Sequence, residues 1–551
     1  VTTTDAGGGL GRASALLASG TFVSRILGFV SAAILAQTIG TTGAGADTFA
    51  VANQLPNNIY AIIAGGLLSA VLVPQIVRAG LHDDGGQRFV NRLVTLGLAV
   101  FVLAAIVATL AAPLLIPLYT QQATDGGEGL SSGDIALATA FAYWCLPQVL
   151  FYAIYSLLGE VLNARKVFGP FTWTPVLNNV IAIAGMVVFI LLFGAGPELK
   201  DSSSWTPQMI AVLAGSATLG IAVQGVALFW FWRRAGLSYR PDFHWRAVGL
   251  GSTGRAAGWV FGMILVTQLA GIVQTRVASL ASGADEPSVR VLSLSWLIFM
   301  LPHSIVAVSI ATAYFTRMSG HARDGDLASV RDDLSSSLRS IGLFMVFSSV
   351  GLAVLAFPFS ALFAKEGFEE VQGMAPVVIA FLVGLVPFSI LFVLQRTYYS
   401  LDDTRTPFFL QVFQSVLFVA GALVVGATFS TQWIAVGIAG VTALAGSAQA
   451  VAAAWMLRGR LGGIDGGRML RSYAAFAAAV VPAGVVGVLL LFAMGGTTQG
   501  GFAIANHFTA AVSMVVIGGA MAVVYFGVLV ALRNPELGAI LRPVIRRLRR
   551  R

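Results

Sequence analysis

The sequence predicts an all-α integral membrane protein of about fourteen transmembrane helices, built as two pseudo-symmetric six-helix lobes plus two C-terminal helices. Three observations predict it. Of 551 residues, 57% are apolar and only 10% charged, whereas soluble domains average roughly 25% charged residues. The apolar residues gather into runs of about 20, long enough to cross ~30 Å of hydrocarbon at 1.5 Å per residue. The connections between runs alternate in charge, and one set together with the two terminal segments holds 28 of the 33 Lys and Arg residues.

The first lobe, 16–232, holds spans at about 16–40, 48–76, 92–119, 134–162, 168–194 and 207–232. The second, 255–456, holds spans at about 255–282, 291–316, 337–364, 374–398, 406–427 and 432–456. The added pair, 472–532, consists of 472–494 and 508–532. A polar, Gly-rich segment 1–15 precedes them, so no cleaved leader is expected. A basic linker 233–254 joins the lobes and a basic tail 533–551 follows. Spans 2, 4, 6, 8, 10 and 12 are each followed by an arginine-rich connection, such as "VRAGLHDDGGQRFVNR", "NARKVFGP" and "RTYYSLDDTRTP". The alternate connections, such as "YTQQATDGGEGLSSGD" and "KEGFEEVQG", contribute only Lys200, Arg290 and Lys365. Positively charged connections stay on the cytoplasmic side, which places both termini in the cytoplasm.

Composition also excludes functions. One cysteine, Cys145, gives no disulfide framework, and the five histidines form no HxxxH or HExxH pair, so no metal site or cofactor is expected. The net charge of +9 lies in connections and tail; it reads as a topology signal and a contact with anionic lipid, not as a nucleic-acid surface. The chain has no Walker A pattern. Transport therefore draws on the membrane potential or an ion gradient, with the ion unspecified.

Arg25 and Arg276 are the two basic residues well inside expected spans, away from their edges, each roughly 13 Å from a membrane face. Intramembrane charge is costly and is functional by default. Arginine suits an anionic cargo because its planar fork binds phosphate bidentately and keeps its charge. Asp47 opens span 2 either as a helix cap or as a cavity residue. "QLPNNIYAIIAGG" in span 2 parallels "MLPHSIVAVSIAT" in span 8, offset by 246 residues. Pro56 and Pro302 are thus paired candidate hinges, as suits parallel repeats that rock about a central site. Asn53, Gln54, Asn57 and Asn58 cluster beside Pro56 and cannot all face lipid cheaply. Glu160 and His303 are further intramembrane groups for which a structural role is the simpler reading.

The pieces "GTFVSRILGFVSAAILAQTIG", "GADTFAVANQLPNNIYAIIAGGLLSAVLVPQIV", "GEVLNARKVFGPFTWTPVLNN" and "YYSLDDTRTP" together resemble the MurJ/MviN lipid II flippases, in their actinobacterial form. The resemblance implies the two-lobed fold of the multidrug/oligosaccharidyl-lipid/polysaccharide exporter superfamily in a bacterial cytoplasmic membrane. It implies an alternating-access cavity and a groove toward helices 13 and 14 for a polyprenyl tail. The implied cargo is undecaprenyl-pyrophosphoryl-MurNAc-pentapeptide-GlcNAc, moved outward for peptidoglycan synthesis, with no covalent catalysis. Ser24 and Arg25 match the family's Ser-Arg pair, Asp47 its loop aspartate, and Pro56-Asn57 its Pro-Asn. The expected substrate-binding set is Ser24, Arg25, Asp47, Asn53, Asn57 and Arg276. Better-known members carry arginine where this chain has Ser31, Tyr60, Ala61 and Leu297. Those departures keep open export of another polyprenyl-pyrophosphate glycolipid or amphiphile, or a non-transporting scaffold for cell-wall synthesis proteins.

Overall fold

The computed structural model describes residues 6–67, 87–123, 128–165, 167, 169–234, 236–244, 254–365 and 367–539. The first half contains α1 (Ala6–Ile39), α2 (Ala44–Leu67), α3 (Gln87–Leu110), α4 (Ala112–Tyr119), α5 (Ser132–Cys145), α6 (Gln148–Ala164), α7 (Gly169–Phe193), α8 (Pro207–Arg234) and α9 (Gly254–Ala278). The second contains α10 (Val289–Pro302), a π-turn (His303–Ala307), α11 (Val308–Arg323), α12 (Leu327–Val354), α13 (Ala356–Ala361), α14 (Phe368–Leu382) and α15 (Leu385–Ser400). It closes with α16 (Arg405–Thr428), α17 (Thr431–Arg460), α18 (Gly466–Ala493) and α19 (His507–Ala531). Helices dominate because hydrocarbon offers backbone N–H and C=O groups no water, so each segment must satisfy its own.

Among the described residues, twelve helical stretches are long and apolar enough to cross a membrane. The pair α14–α15, bent by 41°, makes a thirteenth. The remaining expected span, 48–76, begins as α2 and continues into residues outside the described ones. The figure of fourteen is therefore approximate. At the α14–α15 break, a Cβ on Gly384 would meet the backbone of Ala443 at 2.9 Å, so glycine is what lets α17 approach. At the break between α5 and α6, Thr218 donates to the carbonyl of Trp144 (2.7 Å) and accepts from Gln148 Nε2 (2.9 Å). Those bonds occupy polar groups beside Pro147, which has no N–H of its own.

Two compact units emerge, Val1–Arg290 and Val291–Arg551. In the first, α3, α6 and α8 enclose a core that includes Leu93, Phe101, Leu157, Leu228 and Trp232. Here α1 lies along α7, and α9 packs on α2 and α4. The seventh span thus stands with unit 1, whereas the sequence expectation opens the second lobe with it. The ties are local: Gln121, just after α4, receives a bond from Arg276 Nε (3.0 Å) and donates its backbone N–H to Ser279 Oγ (2.7 Å). In unit 2, α12, α18 and α19 share a core of Leu343, Phe476, Ile517 and Tyr525, with the Tyr525 hydroxyl donating to the Leu343 carbonyl at 2.7 Å. The C-terminal pair is therefore packed on the ninth span.

The linker after α8 is pinned to α3. Gln87 Nε2 donates to the Ser238 carbonyl (2.7 Å), Asp242 N to Thr95 Oγ1 (3.0 Å), and Arg92 Nε to Asp242 Oδ2 (2.8 Å). Hydrogen bonds from the His244 backbone, the His244 ring and Arg92 hold the Asp242 carboxyl down at about 2, against an ordinary 3.8. A depressed carboxylate favours docking above its ordinary pKa and loses that contribution as pH falls through the lower value. Docking is expected to be full at neutral pH and to weaken from about pH 4 to pH 2. A spin label at Ser238 should gain mobility over that window, and Asp242→Asn should show the mobile spectrum at pH 7.

Candidate functional site

In unit 1, the site begins with the rotational phase of α1. Asn179 Nδ2 donates to the Ser24 carbonyl at 3.0 Å, and Gly20 and Gly28 lie on the same face, toward α7. One residue further on is about 100° further around. Arg25 is accordingly exposed, and no carboxylate among the described residues lies within ion-pair distance of it. On α2, Asn53 and Gln54 are half-buried and Asn57 is exposed, following the i, i+4 spacing of one helix face. An amide turned to hydrocarbon without a partner costs several kcal/mol, so this face belongs to a wet space. Asn53 Oδ1 accepts from Gln148 Nε2 at 3.3 Å, which orients the amide at the edge of the face. Asn58 is buried and hydrogen-bonded to Tyr119.

Asp47 does something else. Fully buried in the first turn of α2, it accepts the backbone N–H of Arg290 at 2.8 Å, and so caps the first turn of α10 across 243 residues. Neither alternative read from the sequence, a cap for its own helix or a cavity ligand, describes that contact. Arg290 is itself buried, with Nη2 3.4 Å from the Ala32 carbonyl. Asp47→Ala should cost about 2 kcal/mol, the worth of a hydrogen bond to a charged acceptor. An unfolding titration of the purified protein should show that loss, and Asp47→Asn, which keeps an acceptor oxygen, should recover most of it.

Arg276 lies in the last turn of α9, exposed, with its Nε on Gln121. The apolar stretch that contains it runs from Gly258 to Ala284, so Arg276 lies eight residues inside its arginine-poor end. The two candidate hinges differ. Pro56 sits inside a continuous helix, whereas Pro302 ends α10 and is followed by the π-turn. In unit 2 an apolar cavity of about 410 Å³ opens between α12, α14 and α18, lined by Val350, Val354, Leu382, Leu491 and Phe492 among others. Among the described residues no group of three His, Cys, Asp or Glu side chains is placed to hold a metal ion.

Residues 35–513 match the family model described as "Lipid II flippase MurJ". The chain belongs to that family. Among similar relatives, the "Probable lipid II flippase MurJ" of Haemophilus influenzae is 28% identical over 410 residues, 70% of this chain and 75% of that one. The Thermotoga maritima relative of the same description is 26% identical over 420 residues, 76% and 80% of the two chains. Among solved structures, "Lipid II flippase MurJ, inward closed conformation" superposes with a TM-score of 0.68 at 18% identity, covering 94% of this chain and 99% of that one. An inward-facing multidrug-resistance MATE transporter of the MOP superfamily gives 0.62 at 16% identity over 80% of this chain and 94% of that one. The fold is that of the MurJ and MATE transporters, and the protein is a multi-pass membrane protein.

In this MurJ-family chain, Tyr60 and Ala61 lie one turn beyond Pro56 and Asn57 on α2. Tyr60 packs its ring against Tyr152 (5.8 Å) and Phe101 (5.9 Å), and Ala61 is half-buried beside it. Two charged residues escaped sequence reading. Arg290 was assigned to a loop and is a buried first-turn residue of α10. Arg396, at the edge of the expected span 374–398 and counted with the connection, lies inside α15 with its guanidinium over Phe315 (5.2 Å) and Phe392 (5.0 Å). Its four-residue spacing from Phe392 was the available signal, since i and i+4 share a helix face.

Proposed function

We propose that the chain is a lipid II flippase, carrying undecaprenyl-pyrophosphate-linked disaccharide-pentapeptide from the inner to the outer leaflet of the bacterial cytoplasmic membrane by alternating access. The observation that carries this reading is the match of residues 35–513 to the flippase family. The exposed Arg25, with no carboxylate beside it, supports the place where an anionic headgroup is met. Its fork takes two oxygens of the diphosphate, a charge-assisted contact worth about 1.5–3 kcal/mol per hydrogen bond. Asn53 and Asn57, with the neighbouring Ser24, offer neutral donors and acceptors suited to sugar hydroxyls and peptide amides. With both termini cytoplasmic, Arg276 lies near the outer surface, where it meets the headgroup on release. The apolar cavity of unit 2 suits hydrocarbon, so the prenyl chain is its fitting occupant. Asp47 on the Arg290 N–H fixes the start of α2 against the residue that opens α10. The continuous helix through Pro56 and the π-turn after Pro302 serve as unequal hinges. Translocation makes and breaks no covalent bond. Its directionality comes from the membrane potential or an ion gradient, and the basic tail meets anionic lipid.

The test is lipid II exposure on the outer leaflet of cells depleted of their own flippase. Wild type should restore exposure; failure of a well-inserted wild type would remove the reading. The family resemblance leaves room for a second cargo, since it implies arginine in better-known members where this chain has Ser31, Tyr60, Ala61 and Leu297. Restored flipping of a different polyprenyl-pyrophosphate glycolipid, without lipid II, would establish that alternative.

A further inference from the structure

Unit 2 contains a buried imidazole that cargo binding does not use. His303 is 2% exposed and is the first residue of the π-turn that follows Pro302. Its Nδ1 lies 3.0 Å from Ser389 Oγ on α15, and its ring meets the rings of Phe388 and Phe392 edge-on at 4.7 and 5.2 Å. A histidine that only filled space between two phenylalanines would be replaceable by a residue without a titratable ring. The π-turn is a second, independent observation. Val308 N–H bonds to the His303 carbonyl, five residues back, a poorer arrangement than the α-helical one and one found mostly at functional sites. Returning that turn to α-helix would rotate the following segment by about one residue's 100°. The imidazole's contact with Ser389 therefore sits at the first residue of that π-turn.

Charge decides what a proton would do there. The π-turn packs on α11, α12 and α15. α10 carries only Arg290, at its far end; α11 has no titratable side chain before Tyr314, Arg317 and His321; α12 has none after Arg339. α15 presents Arg396, Tyr398 and Tyr399. Arg396 shares the Phe392 ring with His303, so the two groups are at most about 10 Å apart. No carboxylate among the described residues is within ion-pair distance of His303. A proton on the ring in this arrangement would meet no carboxylate partner among the described residues and would share the Phe392 ring with the Arg396 guanidinium. A proton therefore favours the arrangement in which α15 and the π-turn have separated and water reaches the ring.

We propose that His303 is a proton-binding site of the transport cycle, neutral while clamped to Ser389 and protonated when the π-turn leaves α15. This rests on the flippase reading for its cargo but not for its chemistry. In liposomes holding the full-length chain, lipid II flipping should change about tenfold between pH 6 and pH 8. His303→Gln, which keeps a hydrogen-bonding group for Ser389, should lose that dependence. Ser389→Ala should keep it with a displaced midpoint, and serves if the first variant folds poorly. Separately, nitrogen-15 histidine NMR resolves the five imidazoles. The signal missing from His303→Gln should titrate between pH 5 and 8. An unchanged pH profile in His303→Gln, or a His303 signal that stays neutral down to pH 5, overturns the proposal. Should wild type move no lipid II at any pH, the flippase reading fails by itself and the NMR titration still decides the proton site.

Discussion

Replacing Arg25 with alanine is expected to lower outer-leaflet lipid II about 100-fold while leaving protein level and insertion unchanged. The magnitude follows from losing a bidentate, charge-assisted contact of about 3 kcal/mol with a diphosphate. Stability should hardly move, because the side chain is exposed and is tied to no carboxylate of the described structure. Arg25→Lys should fall between the two, since an ammonium keeps the charge but loses the planar fork. A scaffold protein would tolerate both changes. Arg276→Ala should have the smaller effect, because that guanidinium is partly engaged by Gln121 and lies at the far end of α9. Outer-leaflet labelling of lipid II, normalised to protein in the membrane, separates these outcomes. Equal rescue by wild type and Arg25→Ala would remove Arg25 from the path.

The largest stability effect is expected at the C-terminal end of unit 2. Arg339 Nη1 lies 2.7 Å from Glu536 Oε1, with side-chain exposures of only 14% and 5%. Ser472 donates to the same oxygen at 2.9 Å. The turn is prepared locally: Asn534 Oδ1 accepts the N–H groups of Glu536 and Leu537, both at 3.1 Å. A buried ion pair contributes little net stability relative to a well-packed apolar pair, but deleting one partner strands the other charge. Glu536→Ala should therefore cost about 3–5 kcal/mol, and the double variant Arg339→Met/Glu536→Leu much less. Unfolding titrations of the two proteins test the contrast. A Glu536→Ala loss below about 1 kcal/mol would show that water reaches the pair.

Some of this architecture was legible in one dimension. A 20-residue apolar run must be a helix in hydrocarbon, and arginine-rich connections must alternate if spans are counted rightly. The motif around Ser24-Arg25 and Pro56-Asn57 marked the family before any contact was known. Rotational phase was harder to see. Arg396 looked like part of the connection because it borders "DDTRTP", yet its helix runs on to Ser400 and two phenylalanine rings cover its charge. Arg276 lies eight residues before the end of an apolar stretch that runs from Gly258 to Ala284, but only the fold shows that Gln121 meets it there.

By itself, then, the sequence determined helix number to within a span, the charge alternation, the two-lobed class and the family, because each depends on residues close together along one strand of chain. Tertiary structure alone decided that Asp47 caps α10 across 243 residues, that Arg276 meets Gln121 across 155, and that Arg339 finds Glu536 across 197. Buried polar groups in a membrane protein must find partners wherever helix packing places them, and lipid leaves them none. Packing sets each helix's rotation, and rotation determines whether a charge meets a partner or an aromatic ring or, like Arg25, stands exposed.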